Sequence, residues 1–78
     1  MTVEQRARRV VAQVFGLKEA NVSADASQET LEKWDSLGHM NLCVALEDEF
    51  RVRFDDTQVV EMKSVPKIVE IVSPMLRG

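Results

Sequence analysis

Apolar residues recur along this chain in separated stretches, at intervals that place them on one face of an α-helix, and they thin out in between. Val3, Ala7, Val10, Val11, Val14 and Leu17 form the first such face. Thr2 and Gln5 precede it in capping-box spacing, where hydroxyl and carboxamide each satisfy the other residue's backbone N–H. The pattern predicts a helix to about Phe15 with Gly16 as its C-cap. Arg6, Arg8 and Arg9 fall largely off the apolar face and are expected on a solvated surface. From Lys18 to Asp35 the period fades into Asn21, Ser23, Asp25, Ser27 and Thr30, which predicts a long loop pinned by Val22, Leu31 and Trp34.

Ser36 to Phe50 is the most regular segment. At about 100° per residue its apolar positions divide into two arcs. Leu42, Cys43, Leu46 and Phe50 share one arc with His39 and are expected to face the core, His39 as a partly exposed packing residue. Leu37, Met40 and Val44 lie nearly opposite, flanked by Asn41, Glu47 and Asp48. A surface helix needs one buried stripe, so a second one edged with acids predicts a docking surface. Cys43, with no base at a catalytic spacing, reads as a small buried hydrophobe.

Arg51 to Phe54 alternates like a strand, but no other segment offers a partner, so it is expected to be an extended connection burying Val52 and Phe54. Asp55 or Asp56 is suited to cap a short helix through about Glu61, and Met62, Val65, Ile68, Val69, Val72 and Leu76 mark a last one. Pro66 fits that helix's first turn, and Pro74 should end or kink it. With no repeat and no linker-like stretch, the expectation is one all-α domain spanning residues 1–78. It would be a small four-helix bundle with a long loop between helices one and two and a short third helix.

Composition narrows the function. Of 78 residues, 45% are hydrophobic and 29% charged, and no apolar run approaches the ~20 residues of a membrane span. The first ten residues do not read as a secretory signal, which makes a cytoplasmic location the expectation. One cysteine and one histidine give neither a disulfide nor a zinc site, so no metal is expected. The net charge is -3, and residues 29–61 hold nine acids against three bases. This balance disfavours a nucleic-acid partner, whereas a protein with a basic surface fits it.

Ser36 follows Asp35 where the loop becomes the most regular helix. Unpaired amides and the positive end of the helix dipole would stabilise a phosphate on its oxygen. The plainer reading is that Ser36 or Asp35 only caps the helix. No serine, histidine and acid stand at a useful catalytic spacing, and there is no glycine-rich phosphate loop.

Asp35-Ser36-Leu37, followed by Cys43-Val44-Ala45-Leu46-Glu47-Asp48-Glu49-Phe50, resembles the attachment region of the acyl carrier proteins. The likeness extends over nearly the whole chain, through the arginine-bearing first helix, the long loop, the mid-chain serine and the short third helix. It implies that Ser36 carries a covalent 4'-phosphopantetheine from coenzyme A, added by a separate phosphopantetheinyl transferase, and that acyl groups ride on its thiol as thioesters. No residue is then catalytic. Asp35 would help position the serine and magnesium for the transferase. Leu37, Met40, Val44, Glu47 and Asp48 would meet the transferase and acyl-loading and acyl-processing enzymes with basic docking surfaces, and the carrier would be a monomer. Gly38 stands where fatty acid carriers commonly have an acid, and a helical glycine costs up to about 1 kcal/mol against alanine. Trp34-Asp35-Ser36-Leu37-Gly38-His39 resembles stand-alone carriers of specialised pathways. Fatty acyl, polyketide, aminoacyl or peptidyl, and D-alanyl cargo remain open. The alternative is a helical interaction domain without a prosthetic group.

Overall fold

The computed structural model describes residues 2–77, which form four α-helices: α1 (Val3–Phe15), α2 (Ser36–Phe50), α3 (Asp56–Glu61) and α4 (Val65–Arg77). The all-helical bundle, the long connection after α1 and the short third helix are those the periodicity predicts. Local chemistry sets the helix ends. Gln5 N–H donates to the Thr2 hydroxyl at 3.1 Å and Thr2 N–H to the Gln5 carboxamide at 2.9 Å. Asp55 and Gln58 repeat the device at α3, and Ser64 accepts from the Lys67 amide at the start of α4. Gly16 closes α1 in the left-handed conformation, φ 67°, which glycine adopts without steric cost.

The core centres on α1, which packs against both α2 and α4. Ala7, Val10, Val11 and Phe15 meet Leu42, Leu46 and Phe50 on one side and Val65, Ile68 and Val72 on the other. The inward arc of α2 is the expected one, with His39 and Cys43 buried beside these residues. His39 is more enclosed than a partly exposed packing residue, at 8% exposure.

Between α1 and α2 the chain is more structured than its fading period suggests. A single 3-10 turn covers Glu19–Asn21, and Val22, Ala26 and Trp34 are buried while Leu31 is half-buried. The loop also bonds to the start of α4 through Gln28 N–H to Lys63 O and Val65 N–H to Ala26 O, forming one isolated bridge rather than a sheet. This pairing gives the first α4 amide the partner it lacks within the helix.

Several expectations change. Arg6 and Arg8 are structural ties: Arg6 Nε lies 2.9 Å from Glu49 Oε2 with its guanidinium over the Phe50 ring, and Arg8 Nε donates to Val22 O at 2.7 Å. Met62 belongs to the end of α3 and is fully buried, so α4 starts three residues later. Pro74 does not end α4, which runs on to Arg77. Its missing N–H deprives only the carbonyl of exposed Glu70, a group that water can satisfy. Leu76 lies on the exposed side of that last turn.

Gly38 decides how the loop meets α2. A methyl group there would overlap the Lys33 carbonyl oxygen and lie 2.8 Å from Phe15 Cε1. Helix propensity alone makes Gly38→Ala stabilising; the packing reverses the sign, and we expect a loss of about 1–3 kcal/mol, read as a lower denaturant midpoint.

Cys43 supplies a second check. Burial, with the Glu47 carboxylate assisting, pushes its thiol up from 9.0 to about 11. In native protein at about pH 8, iodoacetamide should leave Cys43 unmodified until denaturant is added. Because the folded thiol holds its proton longer than the unfolded one, its contribution to stability is full below pH 9.0 and is lost as the pH rises through about 11.

Candidate functional site

Asp35 is the N-cap of α2 and Ser36 its first helical residue. The Asp35 Oδ1 accepts the Gly38 amide at 2.8 Å, and the Asp35 carbonyl accepts the His39 amide at 2.7 Å. The His39 bond is the first of the helix's own ladder; of the amides before it the Asp35 side chain takes that of Gly38, leaving those of Ser36 and Leu37 directed out of the turn. Ser36 is exposed, and among the described residues no hydrogen bond holds its hydroxyl. Capping therefore falls to Asp35, which needs only one of its oxygens for it. The Ser36 oxygen stays free at the positive end of a 15-residue helix, where a phosphodiester is electrostatically favoured.

Directly beneath, the loop and helix are bolted together. Trp34, at 2% exposure, packs its ring 5.8 Å from that of Phe15 and donates its indole N–H to His39 Nδ1 at 2.9 Å. With Nδ1 accepting, the imidazole proton sits on Nε2, which faces Val59 O at 2.6 Å. One neutral histidine thus joins the loop, α2 and α3. The relay lies one turn below Ser36, so the serine stands on a filled, hydrogen-bonded base.

Leu37 is 73% exposed, Met40 55% and Val44 59%, and these three form the outward arc of α2. Asp48 is exposed beside it. Glu47 is half-buried and accepts the Phe54 amide at 2.9 Å, and Glu49 turns away to Arg6. The three consecutive acids therefore diverge: Glu47 and Glu49 hold structure, and Asp48 presents its charge. Their crowding near the negative end of the dipole is relieved by these partners.

Two features escaped the periodicity. Val60 of α3 is exposed while its neighbour Val59 is half-buried, an ambiguity that two adjacent valines in a six-residue helix leave open. An open groove of about 460 Å³ runs beside the serine between the end of α1 and the start of α2, with Gln13, Val14, Lys33, Leu37 and Asn41 among its walls. No spacing rule joins Gln13 to Asn41; packing of the two helices does.

No helix among the described residues is long and apolar enough to cross a membrane. No group of three or more histidine, cysteine or acidic residues among them is placed to hold a metal ion. A family model described as "Phosphopantetheine attachment site" matches residues 5–72. The residues fit that prosthetic group, since an exposed, unbonded serine hydroxyl opens α2 above a rigid base. Together with the four-helix architecture, the match over most of its length makes this chain a member of the phosphopantetheine attachment site family, the carrier proteins to which 4'-phosphopantetheine is covalently joined.

Proposed function

We propose that this protein is an acyl carrier whose 4'-phosphopantetheine is borne by Ser36, serving fatty acid, polyketide or related specialised synthesis. The observation that carries this reading is the division of labour at the start of α2. Asp35 caps the helix and leaves the neighbouring hydroxyl exposed and unbonded. In the loading reaction the Ser36 oxygen forms a bond to the phosphorus that bears pantetheine in coenzyme A. The bond from that phosphorus to adenosine 3',5'-bisphosphate breaks, and the serine proton passes to a base of the transferase. Once attached, the arm supplies a thiol that holds acyl groups as thioesters. The carrier itself performs no chemistry.

Asp35 has two duties in this scheme. Oδ1 keeps the cap, while Oδ2 takes no hydrogen bond among the described residues and is free to help a transferase position magnesium and the serine. Leu37, Met40 and Val44 offer a small apolar contact, with Asp48 beside it to attract basic partners. Such a surface favours fast association and weak, repeated encounters. Glu47 belongs at the edge of this surface, with its carboxylate already committed to Phe54.

Incubation with coenzyme A and a broad-specificity phosphopantetheinyl transferase should add one phosphopantetheinyl group by intact mass, and Ser36→Ala should add none. An unmodified wild type under conditions that load a control carrier would overturn the assignment and favour an interaction domain. The acids separate in a second measurement. Asp48→Lys should slow loading about tenfold at low salt with its melting temperature unchanged. Glu47→Lys should also cost about 1–3 kcal/mol of stability, because it strands the Phe54 amide. Equal destabilisation by both variants would show that Asp48 is structural.

A further inference from the structure

We propose that the groove between the end of α1 and the start of α2 is a resting site for the phosphopantetheine arm, which lies against the outside of the bundle rather than entering its core. This rests on the assignment of Ser36 as the attachment residue. The groove begins beside that residue, since Asp35, Leu37 and Gly38 form part of its wall. Its remaining walls carry groups that suit each part of the arm. Lys33 supplies an ammonium for the phosphodiester. Leu37 and Val14 offer apolar surface to the geminal dimethyl group. Gln13 and Asn41 carry carboxamides that can both donate to and accept from the arm's two amides. Gln13, Lys33 and Asn41 are all exposed, and none is engaged in a side-chain hydrogen bond among the described residues. Asp35 also faces the groove, with Oδ1 taken by the Gly38 amide.

The opposite route is obstructed. The seam between α2 and α3 is crossed by buried His39, which accepts the indole N–H of the loop's Trp34 and faces the Val59 carbonyl of α3. An arm or acyl chain entering there would have to separate these partners and strand polar groups in an apolar interior. Lying in the outer groove requires no such rearrangement.

Amide spectra of the apo and phosphopantetheinylated protein, with loading scored by mass, test this directly. Gln13 and Gly16, remote in sequence from the modified serine, should shift on loading. Nuclear Overhauser contacts should join the arm's methyl groups to Leu37 and Val14, and the single indole N–H, from Trp34, should stay in place with or without an octanoyl cargo. The Gln13→Ala variant, on α1 and outside the docking arc of α2, should load and melt like wild type while weakening these contacts. Movement of the Trp34 indole and Val59 signals on loading would overturn the proposal in favour of core entry. Shifts confined to Ser36 and its immediate neighbours would overturn it in favour of a free arm, as would contacts that Gln13→Ala leaves unchanged. Failure to load at all would instead count against Ser36 as the attachment residue, so the two readings fail separately.

Discussion

The loop backbone comes so close to the first turn of α2 that the Lys33 carbonyl occupies the space a side chain at position 38 would need, and much of the molecule follows from that approach. With the loop this near, Trp34 drops into the core beside Phe15 and its indole reaches His39. His39 in turn extends to Val59, the one side-chain hydrogen bond between α2 and α3 among the described residues. Asp35 is left one residue before the helix, in cap position, and Ser36 is the first residue past the constraint. The exposed hydroxyl is thus the outward consequence of tight packing beneath it. A catalyst acting on that oxygen meets a fixed target, because the base below is filled and every buried side-chain polar atom among the described residues has a partner.

Helix α2 separates stability from recognition by angle. Its inward arc shares the core with α1, while its outward arc keeps Leu37, Met40 and Val44 in water. Keeping three apolar side chains exposed forgoes the roughly 1.5–3 kcal/mol that burying each would contribute. Monomeric surfaces tolerate single exposed apolar residues readily, and a row of them beside an acid suits the docking surface proposed above. The acids follow the same division, and distance decides between roles. Glu49 lies 2.9 Å from the Arg6 guanidinium, which offsets its charge, and Glu47 2.9 Å from the Phe54 amide, which fixes its direction, whereas Asp48 is exposed.

Features governed by local periodicity were legible in the amino-acid order. The bounds of α1 and α2, the capping box at Thr2, the left-handed Gly16 and the two arcs of α2 all depend on residues within a turn or two of each other. Features set by distant packing were not. Arg6 read as a solvated side chain because nothing near it in sequence announces Glu49 and Phe50 on another helix. Pro74 reads as an end or a kink; near the end of a helix a proline removes one bond that solvent can replace, and α4 does not end there. At the candidate site, the pairing of Asp35 and Ser36 was visible, but which of the two caps depended on backbone geometry. The groove formed by Gln13 and Asn41 required two helices to be placed side by side.

Gly38 shows most clearly why composition alone misleads at such a site. By helix propensity it is a defect of up to about 1 kcal/mol, in the segment where order matters most. Its absent side chain lets Lys33 and Phe15 close on the helix, and that contact seats Trp34, the donor of the histidine relay. The local cost is offset by packing that only the assembled fold reveals. An acid at this position would add negative charge beside the phosphodiester proposed for Ser36, and its Cβ alone would already push the loop away. Glycine leaves Asp35 as the nearest acid in sequence to the serine, with one oxygen held by the amide of Gly38 itself. Loop seating, helix capping and the electrostatics of the exposed hydroxyl therefore converge on one residue that makes no side-chain contact of its own.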